Sequence, residues 1–127
     1  MATLMLDTHV VAWLYAGKIE KVPAAAQRRL ESDTLLVSPM VGLELEYLHE
    51  IGRLRERSQV VVADLRQRLG LRVAEAPFVL VASAAAELSW TRDPFDRLIA
   101  AHALACETSL LTADTTMHKH LALAVWG

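Results

Sequence analysis

Residues 93–114 read DPFDRLIAAHALACETSLLTAD, and no other stretch limits the possible folds as much. Asp93-Pro94 is a helix start, because Asp accepts backbone N–H bonds at the N-cap while Pro fits the first helical position, where no donor is needed. From Asp96, the residues Ile99, Ala100 and Ala103 follow at offsets of three, four and seven, so the carboxylate shares the apolar face of the helix. The spacing predicts a helix from about Pro94 to about Cys106, then a short apolar strand, Ser109 to Thr112, ending directly at Asp114. A strand that ends in a carboxylate is where open α/β sheets build their sites. Each acid also has a purely structural reading: Asp93 as a plain cap, Asp96 as a helix-dipole or capping-box partner, and Asp114 as the cap of Thr115 to His120.

The rest of the chain alternates in the same way. Thr3 to Leu6 reads as a buried strand with Asp7 at its carboxyl end and a helix following to about Tyr15, closed by Gly17. A short helix over Pro23 to Glu31 carries Arg28 and Arg29 on a solvated face, and Thr34 to Val37 is a second strand. Helices are expected over Met40 to Ile51, Ser58 to Leu69 and Pro77 to Leu88, with a third strand at Leu71 to Ala74 and a last edge strand at Ala124 to Trp126. Ser89 to Arg92 is a connector in which Trp90 reads as packing. Strands alternating with helices imply an α/β fold with a mainly parallel sheet.

Glu44 breaks the pattern of its helix. Met40 and Val41 lie behind it and Tyr47 and Leu48 ahead, all at helical neighbour spacing, so its carboxylate falls in the middle of an apolar stripe. A lone carboxylate there costs several kcal/mol unless it is protonated, paired or bound to a cation. A buried salt bridge to an arginine is one solution; a metal or catalytic role is the other. Glu46 has Gly42, Leu43, His49 and Glu50 as neighbours and reads as largely solvent-facing.

At 127 residues and 54% hydrophobic content the chain is expected to form one domain with a real core. Its net charge of −2 lacks the positive balance of a protein that holds nucleic acid by general electrostatics. Polyanions must then be met by local patches or through metal ions. The basic elbow Arg53, Arg55 and Arg57, and Arg92 ahead of Asp93, are the sequence candidates for phosphate contact. The single Cys106 excludes an internal disulfide and reads as a small buried core residue. No apolar run approaches a membrane span and the start lacks a signal-peptide pattern, so a cytoplasmic protein is expected. His118 and His120 have no Cys or third His at zinc-ligand spacing. A glycine-rich dinucleotide turn and a G-x-S-x-G hydrolase elbow are both absent.

In a parallel sheet, Asp7, Glu44, Asp96 and Asp114 come to the same edge. Four converging carboxylates raise one another's pKa values, and a hard divalent cation relieves that repulsion. Oxygen-only ligands select Mg²⁺ or Mn²⁺. Such a site suits metal-assisted hydrolysis of a phosphodiester.

Three segments, LMLDTHVVAWL, SPMVGLELEYLHEIGRL and WTRDPFDRLIAAHALACETSLLTAD, run in order across nearly the whole chain, and in them it resembles PIN-domain proteins of the VapC-type toxin group, the ribonuclease partners of bacterial and archaeal toxin–antitoxin pairs. The resemblance implies an α/β/α sandwich on a sheet of about five strands, Asp7, Glu44, Asp96 and Asp114 as the acidic quartet, Mg²⁺ or Mn²⁺ as cofactor, and endonucleolytic cleavage of RNA. It also implies a homodimer and a cognate antitoxin that inhibits it. Asp93, Thr112 and Thr8 are expected beside the metal ligands rather than among them, with Thr112 orienting a water or a carboxylate. Arg97 also matches the motif, either as an ion-pair partner or at the substrate. Some members carry a further acid just after the last Asp; Thr115 and Thr116 follow here, which favours the first metal over a second. Two other classes remain open: a PIN-fold module that binds RNA or protein without chemistry, and a DNA nuclease or phosphatase using the same metal site.

Overall fold

A computed structural model describes residues 2–127. Strand β1 (Thr3–Leu6) leads into helix α1 (Thr8–Tyr15), a short 3-10 turn (Ile19–Lys21) and α2 (Ala24–Ser32). Strand β2 (Thr34–Val37) follows, then the helices α3 (Pro39–Glu50) and α4 (Ser58–Leu69). The second half comprises β3 (Arg72–Val73), α5 (Phe78–Ala86), α6 (Pro94–Ala105), β4 (Ser109–Leu111), α7 (Thr115–His120) and β5 (Ala124–Val125).

The five strands form one sheet in the order β3-β2-β1-β4-β5, and every neighbouring pair is parallel. All carboxyl ends therefore lie along one edge. The chain moves outward from β1 to β3 and then resumes on the other side of β1 with β4, so the direction of winding reverses between β1 and β4. That reversal opens a crevice at the carboxyl edge. Asp7 and Asp114 follow the two strands that flank it. Leu4, Met5, Leu6, Leu110 and Leu111 are buried, as expected of central parallel strands covered on both faces.

Local chemistry explains the helix starts that matter here. The Asp7 side chain accepts from Thr8 N at the head of α1, Ser38 Oγ accepts from Met40 N at the head of α3, and Asp93 caps α6, with Pro39 and Pro94 in the first turns. Gly70 ends α4 at φ +70°, a conformation that costs a residue with a Cβ. The 3-10 turn had no clear signal in the sequence. Helix α5 is shorter than Pro77 to Leu88, because Pro77 stands outside it as the N-cap and the Arg97 guanidinium takes the carbonyls of Ala85 and Ala86. Cys106 is half-buried at the C-cap of α6 instead of enclosed within the helix, since the last helical residue is Ala105. Arg29 bonds Asp33 at 2.8 Å and is not simply solvated. No helix among the described residues is long and apolar enough to cross a membrane.

Candidate metal and hydrolytic site

Asp7 is 6% exposed, held from both sides. Its Oδ1 accepts the Thr8 amide at 2.8 Å and its Oδ2 accepts the Thr112 hydroxyl at 2.6 Å. Thr112 Oγ1 also accepts the Asp114 amide at 3.0 Å, and a hydroxyl has one proton, so that proton is committed to Asp7. Burial pushes the Asp7 carboxyl above its ordinary range, against the two hydrogen bonds that favour its ionised form; the charge of Asp114 raises it further.

Glu44 is half-buried in mid-α3 and accepts the Thr8 hydroxyl on Oε1 at 2.5 Å. Burial raises its carboxyl too, and Asp7 and Asp93 add to the shift. Among the described residues neither lysine nor arginine pairs with it; the ion pairs are Arg29–Asp33, Arg57–Glu46 and Arg68–Asp64. The buried salt bridge that the sequence allowed is therefore not how this carboxylate is accommodated.

Asp96, in the first turn of α6, is pushed up to about 7, first by burial and then by Asp93, Asp7, Asp114 and Glu44 in turn. Asp96 is thus raised by each of the other three acids. Asp114 caps α7, with Oδ1 accepting Met117 N at 3.0 Å. Asp93 is exposed and accepts from both Phe95 N, at 2.8 Å, and Asp96 N, at 3.1 Å, which is the capping role expected of it. Thus Thr8 and Thr112 each tie a site carboxylate to the sheet edge, while Asp93 fixes the turn that carries Asp96.

Among the described residues no three Asp, Glu, His or Cys side chains form a ready ligand cage. The donor set nevertheless suits a hard divalent cation: it is all carboxylate oxygen, and its members raise one another's pKa with no lysine or arginine paired to them among the described residues. An apolar pocket of about 500 Å³ lined by Met40, Val73, Phe78, Val81 and His102 contains none of the four acids.

The basic residues divide. Arg97 donates Nε to Ala85 O at 3.1 Å and so caps α5; neither the ion pair nor the substrate contact considered for it describes that placement. Arg57 is held by Glu46, which also accepts the Ser58 amide at 3.1 Å and so caps α4 from a distance instead of facing solvent. Arg53 and Arg55 are exposed in the turn after α3, roughly two turns of helix beyond Glu44. Arg92 is exposed just ahead of Asp93. His9, which no sequence motif singled out, acts electrostatically on both Asp7 and Glu44 and favours their ionised forms. Its position two residues after Asp7, in the first turn of α1, was the available signal. Nor was His102 singled out: it is 4% exposed, with Nδ1 3.1 Å from Ser38 Oγ and no partner at Nε2.

A parallel α/β sheet whose order reverses between β1 and β4, with Asp7 and Asp114 following those two strands, has the open carboxyl edge at which such folds carry their chemistry. The PIN domain family model matches residues 4–122, and the chain belongs to that family. Ribonuclease VapC22 of Mycobacterium tuberculosis is 32% identical over 126 residues, covering 94% of this chain and 93% of that protein. Among solved structures, VapBC2 from Rickettsia felis bound to a promoter DNA fragment aligns with TM-score 0.71 and 19% identity over 98% of this chain and 99% of that one. DNA-bound VapBC from Salmonella typhimurium aligns with TM-score 0.67 and 23% identity over 98% and 96%. At these identities the two structures bear on the fold.

Proposed function

We propose that this protein is the metal-dependent endoribonuclease, the toxin member, of a VapBC-type toxin–antitoxin pair, and that Asp7, Glu44, Asp96 and Asp114 are its hydrolytic site. The observation that carries the reading is Asp96, raised by burial and by the other three acids as well as Asp93, in a PIN-family chain similar to a protein named as a ribonuclease. Asp7, Asp96 and Asp114 would hold Mg²⁺ or Mn²⁺, with Glu44 either a further ligand or the group that orients the attacking water. When bound, such an ion would make a bound water more acidic and clamp the oxygens of the phosphodiester. Thr112 and Thr8 hold Asp7 and Glu44 in place, so little reorganisation is left for the reacting state. Arg92, Arg53 and Arg55 are free to meet phosphates. The partners that go with this reading are an RNA substrate, a cognate antitoxin and a second copy of the chain.

The test is cleavage of a labelled total-RNA pool with Mg²⁺, with Mn²⁺ and with EDTA, beside Asp96→Asn. Metal-dependent cutting that disappears in the variant is expected. Binding of RNA without cutting by either protein would leave a binding module, and equal cutting of matched DNA would widen the substrate class.

A further inference from the structure

Two of the three tryptophans and one of the three lysines meet on the β5 side of the acid edge. His9 and Trp13 lie four residues apart on α1, with ring centres 6.2 Å apart and planes at 50°. Trp13 is in turn 5.9 Å from Trp126 at 53°, and Lys21 Nζ stands 5.5 Å from the centre of the Trp13 ring. Lys18, also exposed, donates its amide to Trp13 O at 2.8 Å.

Both ends of this row start close to the acids. His9 stands in the first turn of α1, two residues after Asp7. At the other end, β4 and β5 pair Leu111 with Val125, and Val125 O accepts the Thr112 amide at 3.1 Å, so Trp126 emerges beside the threonine that holds Asp7. Core packing does not account for Trp13: it is partly exposed, and it is not among the side chains packed against the main core.

We propose that His9, Trp13 and Trp126, with Lys21, form a stacking platform for unpaired bases of single-stranded RNA immediately beside the scissile bond. The proposal rests on the nuclease reading of the acid edge. Every unpaired base has a free face that an indole can cover, whereas bases in a duplex are stacked already. The Lys21 ammonium, which stands over one face of the Trp13 ring, meets the backbone phosphate. In a chain of net charge −2 this local pairing of aromatic and cation supplies attraction that overall charge does not.

The experiment uses Asp96→Asn protein in Mg²⁺, titrated with a short labelled RNA either single-stranded or annealed to its complement. Single-stranded RNA is expected to bind on the order of tenfold tighter than the duplex and to quench tryptophan emission. Adding Trp13→Ala should weaken that binding on the order of tenfold, and Trp13→Phe should restore most of it. Lys21→Gln changes an exposed side chain, so it provides an arm independent of folding; it should weaken binding several-fold and reduce the salt slope by about one. Equal affinity for the two RNA forms, no RNA binding at all, or unchanged affinity in both Trp13→Ala and Lys21→Gln overturns the platform. The two readings fail separately. If Asp96-containing protein cuts RNA while the platform variants bind and cut as it does, only the platform is lost. If that protein never cuts but the platform variants lose RNA, only the nuclease is lost.

Discussion

The Thr112 hydroxyl donates to Asp7 Oδ2 at 2.6 Å from the neighbouring strand end, and the same oxygen takes the Asp114 amide. One side chain thus ties the Asp7 carboxylate to the backbone of Asp114. Thr112→Val keeps the branched shape in a fully buried position but removes the donor and the acceptor together. Metal affinity or cleavage rate should fall by roughly 10- to 100-fold, the usual cost of losing a group that orients a ligand. Thr112→Ser, which keeps the hydroxyl, should retain most activity. Cleavage kinetics against Mg²⁺ concentration test this, and a valine variant with unchanged metal dependence would remove Thr112 from the site.

Asp96 gives the metal-free protein a pH dependence with a defined sign. Its carboxyl moves from the ordinary 3.8 to about 7 on folding. Between those values the folded chain binds a proton that the unfolded chain lacks, so stability from this group is fully present below the lower value and is lost as pH rises through the upper one. Asp7 and Glu44 are shifted in the same direction. In EDTA, melting temperature should therefore fall between pH 6 and 8, and Asp96→Asn should flatten the slope and melt higher at pH 8. Mg²⁺ should stabilise the unmodified protein more at pH 8 than at pH 6. A melting curve independent of pH in that window would mean the acids do not interact as described.

The acids could be read from the sequence because each is set by short-range rules. Asp7 closes β1 and caps α1, Asp114 caps α7 although β4 already ends at Leu111, Asp93 precedes Pro94, and Glu44 interrupts a helical stripe. The relations the pattern did not reveal are tertiary. Glu46 caps a helix that starts twelve residues later, across the turn after α3, and periodicity within α3 alone makes it look solvated. Arg97 reaches the end of α5, and Trp13 meets Trp126 from the other end of the chain. Neither contact leaves a periodic trace, because each depends on how separate elements pack.

Arg92 and Arg97 should behave differently although both belong to the same motif. Arg97 bonds two carbonyls at the end of α5, so Arg97→Ala should cost about 1 kcal/mol of stability and leave the salt dependence of RNA binding unchanged. Arg92 is exposed; Arg92→Ala should leave the melting temperature in place and reduce the salt slope by about one. Thermal melts and RNA titrations at several salt concentrations separate the two roles, and a shared phenotype would defeat the distinction.

His102 opposes the carboxylates on the acid side. It joins Ser38, which caps the Glu44 helix, to the helix that carries Asp96, and it lines the apolar pocket with Nε2 unpartnered. Burial lowers its pKa below the ordinary 6.5. Below 6.5 the unfolded chain gains a proton that the folded chain resists, so stability held above 6.5 is lost as pH falls toward the depressed folded value. The gain from Asp96 on acidification is thus met by a loss from His102, and the metal-free protein should have a stability maximum within the mildly acidic range. His102→Phe removes the titration and keeps an aromatic ring beside the pocket; the Ser38 hydroxyl loses a partner, a cost of about 1 kcal/mol. The variant should melt lower than its parent at pH 8 and approach or overtake it by pH 5, where the parent has a histidine to protonate. Melting temperatures from pH 5 to 8 decide the matter: curves that stay parallel across the range would show that His102 does not limit stability in acid.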